Sequence, residues 1–339
     1  MRVASGYSLP VWTCCSCGWV DVSEYCVSAP GKVILFGEHF VVEGVPAIAS
    51  AIGLRVRACV TTEVGGDRVI VESNVFGKAE VYPAKPPSWA SQFRRIIELF
   101  GERFGEIVAA KITIESSLPV GAGLGSSAAS AVAFTAAYGL AYGIRLPLPE
   151  VSQLAFEAEK LVHGKPSGID NTISCYGGTI LYTRGRGFEH LDVNLPQTVK
   201  LVIADSGIQR STKQAVSLVL ARKRKLGKLG DMIYDVAREL VHKAIDALRR
   251  ADIELLGELM DVNHGLLNAM GVSLPELETL VHRARRAGAY GAKITGAGLG
   301  GTIIALVDDD RVDNVVRSLS EVAAKVFITS INGPGLKYG

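Results

Sequence analysis

The sequence predicts an α+β protein built in two parts, and three observations carry the prediction. Segments of strand-like alternation and of helix-like periodicity are interspersed in both halves of the chain. With 339 residues, 48% of them apolar and 21% charged, the chain can bury a large core and is long enough for two domains. The pattern loosens after Gly187, passes Pro196 in a polar connector, and resumes with a new strand over Leu201–Ala204.

In chain order, Ser28–Gly31 reads as a turn into an apolar strand, Lys32–Phe36, which Gly37-Glu38-His39 interrupts. Alternating segments over Ala47–Val64 and Arg68–Val81 read as strands of a mixed sheet, and Trp89–Phe104 reads as a helix ending at Gly105. Ile112 and Ile114, and less regularly Leu118, mark a strand that runs into PVGAGLGSSAA, Pro119–Ala129. The alanine-rich run to Ala141 is made of good helix formers. A second helix, Pro149–Val162, gathers Val151, Leu154, Ala155, Ala158 and Val162 on one face. Glu157 and Lys160 fall away from that face, whereas Glu159 sits at its edge, partly shielded from water. Helices over Thr212–Leu226, Asp231–Arg250, Ile253–Met270 and Pro275–Ala287 then lead to a strand–loop–strand unit, 292–295, Gly296–Gly301 and Thr302–Val307. There is no internal repeat and no low-complexity tract.

The stretch Pro119–Ala129 carries the most chemistry. A strand, a loop with glycines at 121, 123 and 125, and a helix start make a cradle for phosphate, because glycine lets backbone N–H groups approach and the helix dipole favours negative charge. It is not a Walker A loop, since Ser126 rather than Lys follows Gly125. Nor is it a dinucleotide fingerprint: the spacing is G-A-G-L-G, and Arg145, Leu146 and Pro147 stand where an acidic residue would be needed. Alone, it reads more readily as a glycine turn before a packed helix, and the other motifs of the chain decide for phosphate.

Composition excludes several roles. A formal net charge of +2 argues against nucleic acid or an anionic membrane as the main partner, and the basic run 221–225 reads as a solvated helix face. No apolar run reaches membrane-spanning length, and the first residues lack the basic start and clean apolar core of a secretory signal. Six cysteines occur, at 14, 15, 17, 26, 59 and 175. Cys14-x-x-Cys17 has metal or redox spacing, but with only Cys26 nearby and no local His it is a weak zinc signal. Scattered thiols elsewhere predict a reducing cytoplasm.

Four blocks then stand together: Ala29-Pro-Gly-Lys-Val-Ile-Leu-Phe-Gly-Glu-His39, the loop Pro119–Ala129, His163-Gly-Lys-Pro-Ser-Gly-Ile-Asp170-Asn171, and Lys293–Gly301. Their order and content resemble the GHMP small-molecule kinases (galacto-, homoserine, mevalonate and phosphomevalonate kinases) over about residues 27–333. Within that family KVILFGEHFVVEGVPAIA (32–49), EKLVHGKPSGIDNTIS (159–174), DSGIQRSTK (205–213) and NHGLLNAMGVS (263–273) resemble the branch that acts on mevalonate. Two departures touch no reacting group: Leu299 stands where another glycine is common, and Phe36 where His is common.

The resemblance implies a ribosomal-protein-S5-like N-terminal domain, 27–192, a ferredoxin-like C-terminal domain, 193–339, an active site in the cleft between them, and a poorly ordered extension, 1–26. It implies that Pro119, Gly121, Ala122, Gly123, Leu124, Gly125, Ser126, Ser127 and Ala128 hold the ATP phosphates, and that Ser127 and Glu159 hold Mg²⁺, a hard ion suited to oxygen donors. Asp170 would take the proton from the substrate's primary hydroxyl, and Lys32 would pair with Asp170 and offset charge on the transferring oxygens. Glu38 and His39 would lie at the substrate end. Thr212, with Arg210, Ser211 and Lys213, would meet the carboxylate or close the cleft. His264 reads as structural, and Gly296, Gly298, Gly300 and Gly301 as a supporting loop. The expected partners are mevalonate and ATP, with no nucleic acid or membrane, in a cytoplasmic homodimer. Rival readings are a kinase of phosphomevalonate or of another mevalonate hydroxyl, and a ligand sensor on the same fold. The sensor should have lost a reacting group, yet Lys32, Ser127, Glu159 and Asp170 are all present.

Overall fold

The computed structural model describes residues 24–339, apart from 64, 65, 120, 164–166 and 210. Cys14, Cys15 and Cys17, with the metal reading attached to them, lie outside the described residues, as do Arg210 and Lys165.

Strands β1 (Tyr25–Phe36), β2 (Ala47–Thr62), β3 (Val69–Ser73), β4 (Gly77–Tyr82) and β5 (Ala110–Ser116) form the body of a first sheet in the order β1-β2-β5-β3-β4. Pairing is antiparallel except between β3 and β5. The segment Arg68–Val81 is therefore a hairpin, and its tip is ordered by the Ser73 hydroxyl, which accepts from the N–H groups of Val75 and Phe76 at 3.2 and 3.3 Å. Helix α1 (Ser91–Phe104) lies between β4 and β5, and α2 (Ser126–Ala141), α3 (Leu148–His163) and α4 (Ile169–Tyr176) follow β5. Helices α2 and α4 lie on β1 and β2, while α1 and α3 pack against α2. The alanines of α2 let all these neighbours come close, so the helix is buried along most of its length. Phe93 and Phe100 of α1 meet Phe134 and Tyr138 of α2 with ring centroids 4.7 and 5.0 Å apart. Two further strands, β6 (Thr179–Thr183) on β2 and β7 (Gly187–His190) on β6, extend the sheet.

The second part starts with β8 (Lys200–Asp205) and continues through α5 (Thr212–Leu226), α6 (Lys228–Arg250), α7 (Ile253–Ala269) and α8 (Pro275–Arg286). It closes with β9 (Gly291–Ile294), β10 (Thr302–Val307), α9 (Val312–Ser320) and β11 (Lys325–Thr329). The sheet order β11-β8-β10-β9, antiparallel throughout, makes this a ferredoxin-like βαββαβ arrangement with extra helices inserted after its first strand. Both faces of this sheet are buried, and the period of two divides its residues between two cores. Val202 and Ala204 join the cluster with Leu277, Val281 and Val315, whereas Leu201 and Ile203 join the larger cluster that includes Ile52 and Val56 of the first sheet.

Two expected boundaries move. The strand begins at Tyr25, inside the stretch read as an extension, because Tyr25 and Cys26 continue the ladder opposite Val60 and Cys59. Cys26 and Cys59 form a disulfide across that pair, contrary to the expectation of free thiols, while Cys175 is free and buried. At the other end the chain leaves the second sheet after β11. Gly53 N–H donates to Ser330 O, Gly333 N–H to Ala51 O, and β12 (Lys337–Tyr338) pairs with β1, so the tail completes the first sheet instead of belonging to the second domain. No helix among the described residues is long and apolar enough to cross a membrane.

Candidate active site

A cavity of about 600 Å³ opens between the two parts. Its central feature is the glycine loop between β5 and α2. Gly121, Gly123 and Gly125 have φ of 76°, 78° and 76°, a region that glycine enters freely and a side chain does not. These glycines, with Pro119, Ser126, Ser127 and Ala128, line the cavity. The intervening Ala122 and Leu124 are 1% exposed and turn into the core, so these two expected phosphate-loop residues contribute backbone alone. Their carbonyls are anchored: Ala122 O accepts from Thr302 Oγ1 at 3.1 Å, and Leu124 O accepts from Lys32 N–H at 2.8 Å. No side chain caps α2, and Ala129 is the residue whose N–H reaches back to Gly125 O. The N–H groups at the start of the helix are thus left for an anion.

Strand β1 brings Lys32 to this loop. The ladder with β2 slips at Gly31, where a Cβ would come within 2.8 Å of Leu124 O, and the Lys32 side chain follows the loop instead. Its ammonium, on a buried side chain, donates to Gly123 O at 3.1 Å and lies 3.3 Å from Asp170 Oδ1. Asp170 stands in the first turn of α4, whose N-cap Gly168 has φ 85° and offers no side-chain cap, so the helix start favours the carboxylate charge. The short helix α4 was not anticipated, yet it aims the expected base.

Glu159 of α3 lines the same cavity and is 3% exposed. Burial pushes its carboxyl up to about 8, with Asp170 adding to the rise and Lys32 opposing it. Ser127 Oγ donates to Gln92 Oε1 at 2.8 Å, which spends its proton and leaves its lone pairs for a cation. Gln92 was missed; the available signal is a polar residue on the otherwise apolar face of α1 formed by Phe93, Ile96, Ile97 and Phe100. A buried carboxylate and a hydroxyl with its lone pairs open are hard oxygen donors that fit Mg²⁺.

The Gly37–His39 turn brings both Glu38 and His39 to the cavity. His39 lines the cavity at φ 53°, and its Nε2–H donates to Ala297 O at 2.7 Å. Glu38 lines the cavity as well, with one carboxylate oxygen in a buried ion pair with Lys293 and the other accepting from Asn263 Nδ2 at 3.0 Å. Burial pulls the Lys293 ammonium down, and the Glu38 charge opposes that. Thr212, exposed at the start of α5, lines the cavity, with Ser211 as N-cap accepting from Gln214 N–H at 3.4 Å. Leu299 has φ 56°, so the departure from glycine places a side chain in the left-handed region. His264 is buried against Glu278 at 3.1 Å, away from the cavity lining.

Sequence reasoning also missed an apolar part of the lining. Phe76 and Trp89 stack there with centroids 5.4 Å apart at 16°, and Trp89 meets Phe93 edge-on at 6.4 Å. The signal was an aromatic side chain on each of two turns, too local to connect without the fold.

The family models for the GHMP kinase N-terminal domain and the GHMP kinase C-terminal domain match residues 91–178 and 244–325. The mevalonate kinase of Aeropyrum pernix is 40% identical over 322 residues, covering 91% of this chain and 97% of that protein. The chain belongs to the GHMP kinases. Within that family its similarity to mevalonate kinases is sustained: that of Pyrococcus furiosus is 40% identical over 331 residues, covering 91% of the chain and 97% of its own length. Among solved GHMP kinases, the L. major mevalonate kinase in complex with R-mevalonate superposes with a TM-score of 0.79 at 33% identity, covering 91% and 95% of the two chains. The Lactococcus lactis galactokinase, at 21% identity and a TM-score of 0.76, shares the fold.

Proposed function

We propose that this GHMP kinase transfers the γ-phosphoryl group of ATP to the 5-hydroxyl of mevalonate. The observation that carries the reading is Lys32 held between Gly123 O, at 3.1 Å, and Asp170, at 3.3 Å, beside an uncapped helix start. The triphosphate lies along the glycine loop, its oxygens met by N–H groups and the helix dipole. Asp170 accepts the proton of the attacking hydroxyl, and Lys32 offsets the charge on the transferring oxygens while keeping Asp170 in place. Positioning of this kind is most of what phosphoryl transfer asks of a protein. Ser127 and Glu159 would hold Mg²⁺, which when bound neutralises charge on the triphosphate. Phe76 and Trp89 offer flat apolar surface for the nucleobase. His39 and Thr212, the latter at the positive end of α5, meet the polar groups and carboxylate of mevalonate.

Among the described residues lining the cavity, Lys32 is the one Lys or Arg, and it is committed to Asp170 and the loop. A cytoplasmic place, with ATP at hand, belongs to the same reading. So does a homodimer, which would cover the exposed Leu229, Met232 and Val236 on one side of α6. Sedimentation of the purified chain tests the dimer.

The deciding experiment is coupled ADP release with Mg·ATP and, in parallel, mevalonate, phosphomevalonate, homoserine and galactose, followed by ³¹P NMR of the product. Turnover on mevalonate with phosphate on the 5-oxygen is expected. Turnover confined to another acceptor overturns the substrate assignment.

A further inference from the structure

The unit β9–loop–β10 grips the first domain at four places, three of which involve residues that line the cavity. Lys293 pairs with Glu38. The Thr295 hydroxyl accepts from Ile34 N–H at 3.1 Å and donates to Ile34 O at 3.0 Å. Ala297 O holds the His39 ring, and Thr302 holds Ala122 O. Lys293 differs from the other three in carrying a full charge into a place with no water: its side chain is 0% exposed and that of Glu38 is 1% exposed.

Stability alone is a poor reason for such a pair. Taking two charges out of water costs several kcal/mol each, and apolar side chains of similar volume commonly do as well or better at the same place. What a buried ion pair supplies in addition is a definite geometry, since neither partner can move without leaving a charge unmatched. Here the fixed group is Glu38, held from both sides by Lys293 and by Asn263 of α7. Its next neighbour is His39, whose φ of 53° is unfavourable for a residue with a side chain and persists only where surroundings impose it. The preceding Gly37, at φ 89°, allows the chain to turn sharply between β1 and this point.

We propose that Lys293, together with Asn263, is a positioning residue for the acceptor site: by fixing Glu38 it sets the Gly37–His39 turn and so the place of His39 on the cavity wall. The role rests on the reading of this cavity as a mevalonate site. Lys293 and Asn263 then act through Glu38 and His39, which line the cavity, and the second domain shapes a pocket whose lining is partly supplied by the first.

The test compares Lys293→Met, the double variant Glu38→Gln/Lys293→Met, Asn263→Ala and His39→Ala. Thermal midpoints are recorded first, and kinetics are then measured at a temperature where each variant is folded. For Lys293→Met the KM for mevalonate should rise about tenfold or more, while the KM for ATP stays within about twofold. The double variant, which leaves no buried charge and keeps an acceptor for Asn263, should recover much of the mevalonate KM. Asn263→Ala should show the same split at smaller size, and it carries the test if Lys293→Met does not fold. A lowered thermal midpoint with an unchanged mevalonate KM in the folded single variants, alongside a raised KM in His39→Ala, overturns the positioning role. An unchanged mevalonate KM in His39→Ala as well overturns the reading of the site itself.

Discussion

Lys32 touches both sides of the chemistry, since one ammonium bonds the loop at Gly123 O and faces Asp170. Asp170→Asn keeps the shape and removes the acceptor of the proton; kcat should fall about 10²–10⁴-fold while ATP affinity, measured by calorimetry, is retained. Glu159 gives a prediction whose sign follows from its environment. The unfolded chain releases that proton near the ordinary value of 4.5, whereas burial holds it in the folded chain up to about 8. Between those values the folded state binds the extra proton, so metal-free stability should decline as pH rises from about 5 to about 8. Thermal midpoints across that range should show the decline, Glu159→Gln should flatten it, and saturating Mg·ATP should offset it. Both carboxylates and Lys32 were legible as residues; the charge state of Glu159 was not, because it depends on burial and on Asp170 and Lys32, which the fold brings to it from α4 and β1.

At the scale of elements, the loop and α2 act as one device. The glycines turn their backbone to the cavity while Ala122 and Leu124 lock into the core. Gly125→Ala would place a Cβ 3.0 Å from Lys32 Cγ at φ 76°. About 1–2 kcal/mol of stability should be lost, and the KM for ATP should rise more than that for mevalonate. The loop, α2 and α3 were readable because composition and period agree there over many residues. Helix α4 was not: Ile169–Tyr176 is eight residues long and follows a Gly- and Pro-bearing stretch, too short for a period to stand out. The β3–β4 hairpin escaped for a related reason, since its turn lacks the usual Asn-Gly pair and rests on Ser73.

For the whole molecule, the decisive feature is a second sheet buried on both faces, which ties the two parts into a continuous core. The Cys26–Cys59 bridge lies in β1 and β2, and neither cysteine lines the cavity. Replacing both by Ser should therefore cost about 2–4 kcal/mol of stability in chemical denaturation and leave both KM values unchanged. The return of the tail to β1 has the same character: nothing in Lys337–Tyr338 marks it as a strand, and its partner is over 300 residues away, Val27 and Ser28.

The amino-acid sequence by itself determined the α+β class and the glycine loop, because each depends on residue type and short-range spacing, while its resemblance to the GHMP kinases singled out Lys32, Ser127, Glu159 and Asp170. Only the tertiary structure decided that Glu38 serves Lys293 and Asn263, that Gln92 orients Ser127, that Phe76 and Trp89 share a wall, and that the chain's end closes its first sheet. Those contacts join residues far apart in the chain, and burial together with partner geometry, neither visible along a single strand of letters, sets what each side chain can do.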